Sequence, residues 1–142
     1  RDLHSFPTRR SSDLDLLGLL HDIGYIQGSK EGHEKYGGKL CFSKLPLCGP
    51  ALKYCIEHHD QIPENFSWSS ELARKQYLLL EADMSVDGKG EIVGFEKRLE
   101  DIAKRYGKES ETYKTCAIVI EWLNETKSKN INDPDHKGIG AC

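Results

Sequence analysis

The residues most suited to chemistry in this 142-residue chain are a histidine and an aspartate, His21 and Asp22, inside the apolar run LLGLLHDIGYI of residues 16–26. Burying such a polar pair costs roughly several kcal/mol unless another group compensates it. Imidazole nitrogens and carboxylate oxygens are common ligands of divalent metal ions. A bound metal ion is therefore the leading explanation for the pair.

Other residues with the same ligand capability occur further along the chain, mostly at the ends of predicted helices. They are His33, His58, His59, Asp60 and Asp83. Imidazole and carboxylate without thiolate suit Mn, Fe, Ni, Zn or Mg, as one or two ions, better than a cysteine-type structural zinc site. A lone histidine is more often a core or surface residue than a ligand, so the joint pattern is what indicates a metal site.

The elements that must position these residues are predicted to be helices, because the apolar residues recur at three-and-four spacing and no strand pattern is visible. The predicted helices cover residues 15 to about 24, 33–45, 50–60, 69 or 70 to about 86, 91–106 and 111 to about 127. We therefore expect an all-α fold, a bundle of about five to six helices.

Two adjacent glycines, Gly37 and Gly38, lie inside the second predicted helix. Each costs about 1 kcal/mol in a helix interior relative to alanine. Their presence predicts that another backbone or a ligand approaches this helix closely.

Composition favours one soluble globular domain, since 37% of residues are hydrophobic and 30% are charged. The net charge is −3 and no basic face is evident, so we expect no nucleic-acid polymer as a partner. No apolar run is long enough to span a bilayer and no signal peptide is visible, so we expect no membrane partner.

Five cysteines in this context indicate reduced thiols of a cytoplasmic protein. Three of them recur every seven residues, and we expect buried small side chains rather than metal or redox groups: Cys41, Cys48 and Cys55.

The first fourteen residues, RDLHSFPTRRSSDL, resemble the translated read-through of a sequencing adapter more than a natural basic arm. On this interpretation residues 1–14 are not native and residues 15–128 form the folded domain. A native helix before residue 15 is then expected to be missing. Residues 129–142 are polar and glycine-rich, which predicts a disordered tail.

The pattern of residues 15–86, and LLHDIGYI above all, resembles the HD superfamily of metal-dependent phosphohydrolases. The resemblance implies an HD-domain-like fold in which His21 and Asp22 are the name-giving metal-binding pair. It implies that Asp22 bridges two metals where two are present, and that Asp83 is the distal aspartate ligand. His33 and either His58 or His59 would complete a second metal site, or would lie in the surroundings of a single one.

The family has one further histidine ligand on the helix before the pair. This chain offers only His4 there, inside the adapter-like segment, and we do not assign it as a ligand. The parental protein is then expected to be active, and this chain metal-poor or inactive.

The resemblance implies hydrolysis of a phosphomonoester or phosphodiester of a nucleotide or another small phosphorylated metabolite by metal-activated water. Asp60 is a candidate proton acceptor, or a group that orients a histidine. Lys30 and Lys39 are candidates for binding substrate phosphate, although a solvated surface role is more common for a lysine. Two alternatives are a non-catalytic HD-like module that senses a nucleotide or binds a protein, and a helical bundle with incidental histidines.

Overall fold

The computed structural model describes residues 9–27, 32–45 and 49–131, and their regular structure is helical, which confirms the all-α prediction. The helices are α1 Arg9–Leu20, a 3-10 helix Ile23–Gln27, α2 His33–Lys44, α3 Pro50–Glu57, α4 Glu71–Asp83, α5 Phe95–Tyr106 and α6 Glu111–Ile131. Within the described ranges, β pairing is limited to one isolated antiparallel bridge between Val86 and Ile92. None of the helices described is long and apolar enough to cross a membrane.

Helix α1 differs from its prediction at both ends. It begins at Arg9, inside the adapter-like segment, and it ends at Leu20 rather than near Gly24. The backbone N–H of His21 still donates to the carbonyl of Leu17, but that of Tyr25 donates only three residues back, to Asp22. The chain therefore tightens into a 3-10 helix here. His21 and Asp22 consequently lie in the turn between two helices.

The 3-10 helix packs closely against α2, and this packing explains why Gly24 and Gly37 are glycines. A Cβ atom on Gly24 would overlap the carbonyl oxygen of His33, and one on Gly37 would lie 3.2 Å from the backbone nitrogen of Gly24. A Cβ on Gly38 would overlap the side chain of Glu57. The prediction that another backbone approaches this helix is confirmed, and that backbone is the 3-10 helix.

The chain divides into two compact units, one ending at Leu79 and one beginning at Leu80. The core of the first unit is formed by α1 to α4 through Leu17, Cys41, Leu52, Cys55, Ile56 and Leu79. Cys41 and Cys55 are fully buried, as predicted for small apolar side chains. Cys48 lies outside the described residues.

The second unit buries Ile102 of α5 and Val119, Ile120 and Leu123 of α6. Helix α5 begins four residues later than predicted, because Ile92 pairs with Val86 and Gly94 has a positive φ of 77°. Helix α6 extends to Ile131, which makes the first residues of the predicted tail helical. Residues 132–142 lie outside the described ranges.

Candidate metal centre

Three of the predicted ligands meet in the first unit: Asp22, His33 and His59. The Oδ1 atom of Asp22 lies 3.5 Å from Nε2 of His33 and 3.4 Å from Nε2 of His59. One ligand atom from each residue lies within 4.8 Å of the other two. Among the described residues this is the one group that could hold a metal ion.

Each of the three residues comes from a different element. Asp22 lies in the turn after α1, His33 is the first residue of α2, and His59 follows the end of α3. Gly32, with φ 73°, directs the chain into α2. The close contact of Gly24 with His33 holds the Asp22 turn against the start of that helix. The site therefore depends on packing between α1, the 3-10 helix, α2 and α3.

The separations between the ligand atoms fit a shared ion better than direct hydrogen bonds. Hydrogen bonds from a charged donor to a carboxylate are typically about 2.7–2.9 Å long, and both contacts to Asp22 are longer. Two atoms bound tetrahedrally at about 2.1 Å from one ion would be about 3.4 Å apart. The side chains present thus fit a small divalent ion.

Polar contacts on the far side of each imidazole leave its second nitrogen facing Asp22. Nδ1 of His59 lies 2.8 Å from the carbonyl oxygen of Ile56, and Nδ1 of His33 lies 3.0 Å from Oε1 of Glu34. Carbonyl and carboxylate oxygens accept hydrogen bonds, so both contacts favour the tautomer with the hydrogen on Nδ1. The lone pair of the neutral ring is then on Nε2, the nitrogen that faces Asp22.

His21 repeats this arrangement on the other oxygen of the same carboxylate. Its Nδ1 lies 3.0 Å from the carbonyl oxygen of Gly18, and its Nε2 lies 3.4 Å from Oδ2 of Asp22. The His21 and His59 rings meet edge to face, with centroids 5.3 Å apart. His21 lies outside the group of three, but both oxygens of Asp22 have an imidazole nitrogen close by.

Exposure differs sharply between the members of the site. The side chains of His33 and His59 are 8% and 6% exposed, whereas that of Asp22 is 51% exposed. Catalytic metal sites keep a coordination position open to water or substrate, while structural sites are closed by protein ligands. The two imidazoles are therefore buried, while the carboxylate of Asp22 is half open to solvent.

The electrostatics of the metal-free site are those of an ion pair. Burial raises the pKa of Asp22, but the contact with His59 and the charges of His21, His59 and His33 outweigh it and bring the pKa below its ordinary value. Burial lowers the pKa of His59, but hydrogen bonds to Asp22 and to the Ile56 carbonyl, with the charges of Asp22 and Asp60, raise it overall. In the metal-free site, Asp22 therefore favours the charged form of His59, and the histidines favour the ionised carboxylate of Asp22.

The structure separates the two adjacent histidines, which the sequence left as alternatives. His59 belongs to the group, whereas Nδ1 of His58 lies 3.0 Å from Oε1 of Gln61 and its ring packs on Tyr54 at 4.3 Å. Asp60 is exposed, and its charge helps to raise the pKa of His59.

Asp83 is not a member of this group of ligands. Asp83 ends α4 in the second unit, where its carboxylate lies 3.7 Å from the guanidinium of Arg98. Lys39 is exposed on α2. Lys30 lies outside the described residues.

Sequence reasoning missed two residues that contact His33. Glu34 binds its Nδ1, and the ring of Tyr25 stacks on the imidazole with centroids 4.0 Å apart and planes inclined by 15°. Both adjoin residues that the motif had singled out. Their side-chain directions depend on how the 3-10 helix meets α2, and no spacing pattern reveals that.

The fold and the site together define an all-α protein with a possible metal-binding triad of two histidines and one aspartate. Comparison with known protein families, with curated proteins and with solved structures finds no match.

Proposed function

We propose that this chain is a metal-dependent phosphohydrolase that acts on a phosphomonoester or phosphodiester of a nucleotide or another small phosphorylated metabolite. In this proposal Asp22, His33 and His59 suffice to hold an ion without the histidine expected before residue 15, so the expectation of a metal-poor or inactive chain is replaced. The observation that supports it most is the convergence of two oriented imidazole nitrogens on the half-exposed carboxylate of Asp22. The resemblance of LLHDIGYI to the HD superfamily supports phosphate esters as the substrate class.

The ligand set narrows the choice of metal. Two imidazoles and a carboxylate suit Mn, Fe, Ni or Zn, while Mg prefers an all-oxygen environment. His33, His59 and Asp22 would hold one ion. His21, which faces the second oxygen of Asp22, would help to hold another if the carboxylate bridges two ions.

A divalent ion bound here would lower the pKa of a coordinated water from about 15.7 toward about 7 and would offset negative charge on the phosphoryl oxygens. The surrounding protein groups would position the ligands of the ion and the substrate. The carbonyl of Ile56 would hold His59 in the required tautomer, and a phosphate group would approach from the exposed side of Asp22. Asp60, exposed beside His59, would take up a proton or orient that imidazole. Lys39 on α2 is a candidate for binding substrate phosphate in solution.

The proposed substrate is small, because the net charge of −3 disfavours a long polyanion. We also propose a reducing compartment such as the cytoplasm, because Cys55 is a free thiol in the core. The second candidate function is a non-catalytic nucleotide-sensing or protein-interaction module. The observation that favours it is that Asp83, the implied distal ligand, pairs with Arg98 in the second unit.

Hydrolysis of two generic esters tests the proposal. The metal-stripped chain is assayed with p-nitrophenyl phosphate and bis-p-nitrophenyl phosphate after addition of Mn, Fe, Ni, Zn or Mg. We expect activity with at least one ion and its loss in Asp22→Asn, with Asp87→Asn as the matched control. Metal binding without hydrolysis by wild type would favour the sensing module, and equal activity in Asp22→Asn would refute the site.

A further inference from the structure

The carboxylate of Glu34 is directed at the ring of the residue before it. Its Oε1 lies 3.0 Å from Nδ1 of His33, and the two side chains are 19% and 8% exposed. Tyr25 covers one face of the same ring. The imidazole is therefore held at its Nδ1 edge and on one face, and its Nε2 edge faces Asp22.

An acceptor at Nδ1 decides which nitrogen of a neutral imidazole can bind a metal. A carboxylate oxygen accepts a hydrogen bond, so Nδ1 carries the hydrogen and Nε2 keeps its lone pair. Without that acceptor the hydrogen is free to move to Nε2, and the nitrogen nearest Asp22 then has no lone pair for an ion. Such outer partners of metal-binding histidines typically contribute 10–100-fold to metal affinity.

We propose that Glu34 is a positioning residue, which fixes the tautomer and the ring orientation of His33 for metal binding at Nε2. This inference rests on the proposed function for the presence of a metal, but the tautomer itself is a property of the metal-free chain.

Two other roles for Glu34 fit the geometry less well. An acidic residue in the first turn of a helix stabilises the helix dipole by about 0.3–1 kcal/mol, but that role needs no contact with His33. A role as a direct ligand of the same ion is disfavoured, because Glu34 contacts Nδ1 and the ion site lies at Nε2, across the ring.

The tautomer can be measured without any metal. Histidine side-chain nitrogen NMR spectra of the metal-free chain at alkaline pH are compared for wild type, Glu34→Gln and Glu34→Ala. We expect the hydrogen of His33 on Nδ1 in wild type and in Glu34→Gln, which keeps an acceptor. In Glu34→Ala we expect a mixture with the Nε2 hydrogen. An unchanged His33 spectrum in Glu34→Ala would overturn the proposal.

Metal affinity gives the second readout, by titration of the same proteins with Co²⁺ or Zn²⁺. We expect affinity 10–100-fold weaker in Glu34→Ala, with substantial rescue in Glu34→Gln. Glu64→Ala, which removes an exposed carboxylate from the loop after α3 and makes the same charge change, is expected to match wild type. An equal loss in Glu64→Ala would show a charge effect and refute positioning. If wild type binds no metal, the proposed function fails and the NMR comparison still decides whether Glu34 sets the tautomer.

Discussion

Nε2 of His59 lies 3.4 Å from Oδ1 of Asp22, although one residue follows α3 and the other follows α1. Nδ1 of His59 binds the carbonyl of Ile56, so the ring enters this contact in a single tautomer. The contact closes a site to which the start of α2 adds His33. The predictions below depend on that arrangement.

Gly24→Ala is expected to break the site through the backbone. The added Cβ would overlap the carbonyl oxygen of His33, so α2 must shift away from the Asp22 turn. We expect a loss of roughly 1–3 kcal/mol in the free energy of unfolding, measured by urea denaturation, together with weaker metal binding. Gly18→Ala is the control, since a Cβ there meets nothing within 4 Å, and it should stabilise α1 slightly. Equal effects of the two substitutions would contradict the packing explanation.

The metal-free ion pair predicts a window of pH in which it stabilises the fold. The pKa of Asp22 is lowered, so its contribution is present above its unfolded value and is lost as the pH falls through the folded pKa. The pKa of His59 is raised, so its contribution is complete below its unfolded value and is lost as the pH rises through the folded pKa. The stability difference between wild type and Asp22→Asn, followed by urea denaturation, should be largest between about pH 4 and 6.5. A difference that is constant with pH would contradict the pairing.

Metal affinity should fall at low pH, where the Asp22–His59 pair contributes most to stability. The reason is that an ion at Nε2 must displace the proton of His59. Affinity for Zn²⁺ is expected to fall as the pH is lowered through the raised pKa of His59. Competition with a chromophoric chelator at several pH values measures this. Affinity that stays level down to pH 5 would place the ion elsewhere.

The thiol of Cys55 is expected to be inert in the folded chain. Burial raises its pKa to about 11, with a small opposing effect of Lys75, so at pH 8 only about one thousandth is thiolate. Its stabilising contribution is complete below about pH 9 and is lost as the pH rises toward 11. Iodoacetamide labelling followed by mass spectrometry should modify Cys55 in urea and leave it unmodified without urea. Rapid labelling of the native chain would show that this core opens.

Much of the fold could be predicted from the sequence, because the apolar residues of α2, α3 and α6 recur at three-and-four spacing. The limits of α1 could not, since the run around Leu17 is apolar on most sides and does not show where the helix tightens at Asp22. The start of α5 depends on the pairing of Ile92 with Val86, which local propensity does not reveal.

The members of the candidate site could also be predicted only in part from the sequence. The pattern identified Asp22 and His33, but the choice between the two adjacent histidines follows from the turn after α3, which directs His59 inward and His58 toward Gln61. The role of Glu34 follows from a side-chain direction that its position in the sequence does not specify.

Metal stoichiometry in a pair of adjacent histidine variants tests the central claim most directly. Three proteins are compared: wild type, His59→Ala and His58→Ala. Each is stripped of metal, reloaded with Zn²⁺ or Mn²⁺ and separated from excess ion, and its metal content is then measured by elemental mass spectrometry. We predict at least one ion per chain in wild type and in His58→Ala, and a loss of most of it in His59→Ala. A metal-free wild type, or equal retention of metal in both variants, would contradict the account.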